Sequence, residues 1–86
     1  MRVAIPSPLR SYTGSREQVT GAGATVAELL ASLDRQFPGI RFRVVDEQDR
    51  IREHIRIFVN RELARDLARP LGADDEVQIL CALSGG

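Results

Sequence analysis

From residue 25 onward the apolar positions repeat with the spacing of a helix that buries one face. Val26, Leu29, Leu30, Leu33 and Phe37 fall at i, i+3, i+4, i+7 and i+11, a continuous stripe down one side of a cylinder. Thr25 precedes the stripe and Glu28 stands three residues later, the arrangement of a capping box. In such a box the Thr25 hydroxyl accepts from the amide of Glu28, and the Glu28 carboxylate reaches back to the amide of Thr25. Pro38 and Gly39 end the segment, because Pro disfavours helical geometry at Phe37 and Gly takes the reversed conformation without a Cβ clash. The pattern predicts one helix of about three turns.

Elsewhere the period is two. Residues 55–59 alternate Ile55, Ile57 and Val59 on one face with Arg56 and Phe58 on the other, a strand buried on one side. Glu76 to Ala82 reads as the last strand, with Val77, Ile79 and Cys81 on one face and Leu80 on the other. Residues 2–6 form a short β-branched run stopped by Pro6 and Pro8, and residues 17–20 form a weaker second strand after the Thr13-Gly14-Ser15 turn. The two suggest an N-terminal hairpin with a long connection. Residues 40–53 are charged and irregular, with short extended pieces expected at 42–45. Asn60-Arg61-Glu62 reads as a turn with Leu63 opening another short strand, and residues 66–75 as a loop with weak helix potential. One helix is long enough to cover a sheet, which excludes a doubly wound fold. The order fits an α+β chain: a mixed four- to five-stranded sheet with one main helix packed across one face, the β-grasp (ubiquitin-like) arrangement. Residues 1–83 form that domain and residues 84–86 a flexible C-terminal tail.

Composition narrows the function classes. Eighty-six residues make one domain with a compact core and little room for a buried catalytic cleft. Twelve basic and twelve acidic residues give zero net charge, which argues against a nucleic-acid binder. The first 43 residues hold six Arg and three acids, the last 43 six Arg and nine acids. That acidic half can help a basic partner dock, and a solvated face accounts for it as well. Every basic residue is Arg; Lys is absent, so no side chain can accept an isopeptide bond, although an Arg-favouring codon bias produces the same composition. The single Cys81 rules out an internal disulfide and fits a reducing compartment. With no signal-peptide pattern and no membrane-length apolar run, a cytoplasmic protein that binds neither membrane nor nucleic acid is expected.

No side chain stands out as catalytic. Cys81 alternates with the core positions of its strand and reads as a small packed residue. His54 is the only His and has no second ligand at metal spacing. Asp74-Asp75-Glu76 lacks the spacing of a calcium loop, and Gly21-Ala22-Gly23 lacks the context of a nucleotide loop. If Ile55, Ile57, Val59, Val77 and Ile79 face the helix, Phe58 and Leu80 point to the opposite face. An apolar pair there, near the C-terminus, reads as a partner-docking patch; partial burial under a loop is the plainer account.

Taken together, Thr-Val-Ala-Glu-Leu-Leu at 25–30, Ile-Phe-Val-Asn-Arg-Glu at 57–62 and the closing Gly85-Gly86 resemble the MoaD/ThiS sulfur carriers, relatives of ubiquitin. The resemblance covers nearly the whole chain. Ile-Pro-Ser-Pro-Leu-Arg at 5–10, followed by Tyr12-Thr13-Gly14, is most similar to the CysO-type branch. The resemblance implies that an adenylating, ubiquitin-activating-type enzyme joins the Gly86 carboxylate to AMP. Sulfur from a donor then displaces AMP and leaves a thiocarboxylate. It further implies that the sulfur passes to an accepting enzyme, of cysteine-synthase type or the large subunit of molybdopterin synthase. The chain would then be a protein substrate rather than an enzyme, or the small subunit of a synthase, with no bound cofactor and with ATP used by the activating partner. Ser84 and Gly85 suit threading into a narrow channel, since a small side chain and a residue without Cβ can follow Gly86 there. Two other readings stay open: a ubiquitin-like modifier conjugated to amines through Gly86, and a plain β-grasp interaction domain.

Overall fold

The computed structural model describes residues 1–82. In chain order the strands are β1 (Arg2–Ala4), β2 (Gln18–Thr20), β3 (Ile55–Val59), β4 (Glu62–Leu63) and β5 (Val77–Cys81). Between β2 and β3 lie the helices α1 (Val26–Gln36) and α2 (Ile40–Val44). The five strands form one sheet in the order β2-β1-β5-β3-β4. β1 and β2 pair as the expected antiparallel hairpin, β1 runs parallel to β5, and β3 runs antiparallel to β5 from Ile55↔Cys81 to Val59↔Val77. The mixed sheet with one main helix on one face is the β-grasp arrangement read from the pattern.

The apolar stripe of α1 makes the core. Val26, Leu29, Leu30 and Leu33 are buried with Val3, Ile5, Ile57, Val59, Val77 and Ile79, while Phe37 at the end of the stripe is half-buried. The Thr25 hydroxyl accepts from the Glu28 amide at 3.2 Å, as expected. The Glu28 carboxylate, however, accepts from the amide of Ala24 at 3.0 Å and not from that of Thr25. Residues 24–26 are bridged to 69–71, with Val26 N–H on Arg69 O at 3.0 Å and Leu71 N–H on Ala24 O at 2.9 Å. That bridge presents the Ala24 amide to Glu28. Gly39 takes the reversed conformation at φ 98°, and a Cβ there would meet the Tyr12 ring at 3.1 Å.

Two segments differ from the sequence reading. Residues 40–44 are helical, where 42–45 read as extended. Ile40 and Val44, four apart, are both buried, and Asp34 accepts from the amides of Gly39 and Arg41 at 3.1 Å each. A carboxylate supplied from α1 thus caps α2, and burial of one face overrides the strand preference of Ile, Phe and Val. The β1–β2 connection also carries a short 3₁₀ helix, Ser7–Tyr12, which buries Leu9. Among the described residues no helix is long and apolar enough to cross a membrane.

Candidate functional site

β5 is the central strand, flanked by β1 and β3, and it carries the chain toward Gly86. Its last described contact is the Ala82 amide, which donates to the His54 carbonyl at 2.7 Å. The last described residue is therefore held at a fixed point, the exit of the described chain, beside His54 and Arg56 on one side and Cys81 and Arg43 on the other. Ser84, Gly85 and Gly86, and the expected boundary after residue 83, lie outside the described residues. The four residues beyond Ala82 can span at most about 14 Å.

The side chains around this exit are held by one another. Arg43 Nε donates to the Tyr12 hydroxyl at 2.7 Å, with its guanidinium 5.8 Å from the Tyr12 ring centroid. Arg56 folds back along its own strand and donates to the carbonyls of Glu53 at 2.6 Å and Ile55 at 3.0 Å. Cys81 is half-buried against the core, and that burial pushes its thiol above the ordinary range. A thiol so placed is a weaker nucleophile than an exposed one. Among the described residues no three His, Cys, Asp or Glu side chains gather as they would around a metal ion.

The sheet face away from α1 is open at the β3–β5 end. Phe58 is half-buried there and Leu80 is 44% exposed, both on the face that the alternation assigned them. They are diagonal neighbours, since Phe58 stands opposite Gln78 and Leu80 opposite Arg56. A third member joins them: Leu63, 46% exposed, is the cross-strand partner of Phe58. The signal for Leu63 was in the turn. Asn60 and Arg61 take φ of 50° and 71°, the pair of positive values that a tight two-residue hairpin needs, and this register sets Leu63 opposite Phe58. The turn is braced by Asn60, which donates to Asp75 at 2.9 Å and accepts from the Glu76 amide at 3.0 Å. Asp75 also accepts from the Gly72 amide at 2.8 Å; these bonds, the Gly72 one foremost, hold its carboxyl below the usual carboxylate value. The strip Leu63–Phe58–Leu80 thus lies on a fixed frame and ends near the exit of the chain.

Residues 3–86 match the ThiS family. The chain belongs to the ThiS family. The match runs from β1 through Gly86, so it includes the glycine pair as well as the fold. The sulfur carrier protein CysO of Mycobacterium tuberculosis is 33% identical over 89 residues, which cover 98% of this chain and 96% of that protein. A chain in the crystal structure of the Amycolatopsis orientalis BexX/CysO complex superposes with a TM-score of 0.93 at 34% identity, covering 99% of this chain and 98% of that one. The small archaeal modifier protein SAMP1 of Haloferax volcanii superposes with a TM-score of 0.78 at 31% identity, covering 100% and 98%. The ubiquitin-like carrier family read from residues 25–30, 57–62 and 85–86, with its CysO-like leaning, is the family these likenesses show.

Proposed function

We propose that this chain is a sulfur carrier of the CysO type, a protein substrate and not a catalyst, with the Gly86 carboxylate as its working group. A carboxylate is a poor electrophile. Attack of its oxygen on the α-phosphate of ATP, in the site of an activating partner, releases pyrophosphate and leaves a mixed anhydride with AMP. A sulfur nucleophile from the donor then attacks the carbonyl carbon; the C–S bond forms, the C–O bond to AMP breaks, and AMP leaves. The product thiocarboxylate holds a soft nucleophilic sulfur as an acyl group, protected from loss as free sulfide. The accepting enzyme is of cysteine-synthase type and supplies an aminoacrylate, to which the sulfur adds. The observation that carries this reading is the likeness to CysO along nearly the full length of both chains.

Mass spectrometry tests it. After incubation with an activating enzyme, ATP and a sulfur donor, the chain gains the mass of one sulfur in place of one oxygen. With a cysteine-synthase-type enzyme and an activated serine it then carries a cysteinyl adduct on Gly86. Transfer of sulfur to a pterin precursor through a molybdopterin synthase large subunit, with no cysteinyl adduct, would retain the carrier and reject the cysteine branch. The likeness to SAMP1 favours one further reading, a protein modifier joined to target amines through Gly86. Larger amide-linked adducts without a thiocarboxylate would establish that reading instead.

The Leu63–Phe58–Leu80 strip is the surface we assign to the activating partner. Replacing Phe58 and Leu80 together by Asp should weaken that binding about tenfold or more while the domain stays folded, because Leu80 is exposed and Phe58 only half-buried. Wild-type affinity of the double variant in a calorimetric titration would remove the strip from the interface.

A further inference from the structure

All twelve basic side chains of this chain are arginine, and it contains no lysine. We infer that the protein is built to be inert toward its own activated terminus: no side chain of this chain, or of a second copy, can take the acyl group from the Gly86 adenylate as an amide. This self-protection presupposes the activation of Gly86 proposed above and concerns the competing fate of the same acyl group.

An acyl adenylate reacts with any free amine. The nitrogen attacks the carbonyl carbon, the C–N bond forms, AMP leaves with the electron pair of the broken C–O bond, and the amine loses a proton to solvent. A lysine with an ordinary pKa near 10.4 is about 0.4% free amine at pH 8, a standing supply of nucleophile. A guanidinium keeps its proton throughout and offers no lone pair. The described cations nearest the exit of the chain are of this unreactive kind. Arg43 shares a groove with Cys81 and His54, and Arg56 lies beside Ala82. The one cysteine is half-buried, which keeps its sulfur in the thiol form.

The amino group of Met1 is placed at the other end of the molecule. It donates to the Gly21 carbonyl at 2.9 Å and lies beside Asp74 and Asp75. Because β1 runs parallel to β5 with Val3 opposite Val77, Met1 stands level with Asp75. Seven residues of extended chain separate that level from Ala82, about 23 Å. The four residues beyond Ala82 reach about 14 Å at most, so the terminus cannot fold back onto that amine.

Two single substitutions test the inference by position. Arg43→Lys sets an amine within reach of the terminus; Arg61→Lys sets one in the β3–β4 turn beside Glu76, at the far end of the sheet. Each full-length chain is incubated with an activating enzyme and ATP, with the sulfur donor withheld, and ATP–pyrophosphate exchange, AMP release and intact mass are followed together. The wild-type chain should stay linear. Arg43→Lys should become largely an internally cyclised species lighter by one water, with more AMP released than from wild type and an initial rate of pyrophosphate exchange like that of wild type. Arg61→Lys should show no cyclised product and only chain-to-chain dimers that increase with protein concentration. An Arg43→Lys chain that stays linear while it supports pyrophosphate exchange, or a wild-type chain that acylates itself, overturns the inference. Absence of ATP–pyrophosphate exchange with wild type overturns the carrier reading as well, and is distinguished by the exchange measurement itself.

Discussion

Removing Gly86 should abolish adenylation by the activating enzyme and leave the unfolding midpoint of the domain where it was. The reason lies in where the fold's contacts are. The buried core extends along β5 only as far as Ile79, with Cys81 half-buried, and the last described bond to the sheet is Ala82 to His54 at 2.7 Å. Gly86 stands four residues beyond that bond in the sequence, so none of the described core contacts depends on it. The proposed chemistry, by contrast, depends wholly on the terminus. The shortened chain presents Gly85 one residue short, and a carboxylate displaced by about 3 Å misses in-line attack on the α-phosphate of ATP. Replacement of Gly86 by Phe should do the same by blocking entry to a channel shaped for chain without side chains. ATP–pyrophosphate exchange should fall by at least a hundredfold for both variants, with circular dichroism and thermal midpoint unchanged. A deletion variant that unfolds, or one activated at the wild-type rate, is incompatible with the proposed role of Gly86.

How much of this was legible in the chain depended on whether the signal was local. The α1 stripe, the Thr25 cap and the alternation of β3 and β5 are set by residues within four of each other, and the structure reproduces them. α2 was missed because its cap is Asp34, five and seven residues before the amides it accepts from, across a turn made by Pro38 and Gly39. Read locally, Ile-Arg-Phe-Arg-Val has the composition of a strand. The Glu28 contact was misassigned for a similar reason, since the Ala24 amide is turned toward it by a bridge to residues 69–71, more than forty positions away. At the candidate site, Phe58 and Leu80 followed from the period of two, whereas Leu63 needed the register of the Asn60–Arg61 turn. The position of the chain's exit, between His54 and Cys81, required the pairing of β3 with β5, which no single segment contains. The role proposed for Gly86 draws on none of these contacts, because it rests on the chemistry of a carboxylate placed after the last strand.

Leu33→Ala should be the most damaging single core substitution, for a reason particular to its neighbour. Leu33 is fully buried on α1, and the backbone it packs against is that of Gly21, where even a Cβ would stand 3.1 Å from Leu33 Cδ2 and 2.6 Å from Leu29 Cδ1. Truncating a buried Leu costs the transfer energy of the lost carbons plus a term for the cavity that remains, about 2 to 5 kcal/mol in all. How far the site collapses decides where in that range it falls. Opposite Leu33 stands a glycine with no side chain to swing into the gap, and its amide is held to the Met1 carbonyl at 3.0 Å, so the backbone is not free to close it. The cost should therefore lie toward the upper end, about 4 kcal/mol. A domain of this size has about 5 to 10 kcal/mol in total, so the variant loses about 40 to 80% of it. At 4 to 8 °C for each kcal/mol, its thermal midpoint should fall by about 16 to 32 °C. Leu80→Ala supplies the contrast: the same atoms are removed from a side chain 44% exposed on the open sheet face, and the shift should be no more than about 1 kcal/mol. Equal shifts for Leu33→Ala and Leu80→Ala would place α1 with the wrong face to the sheet.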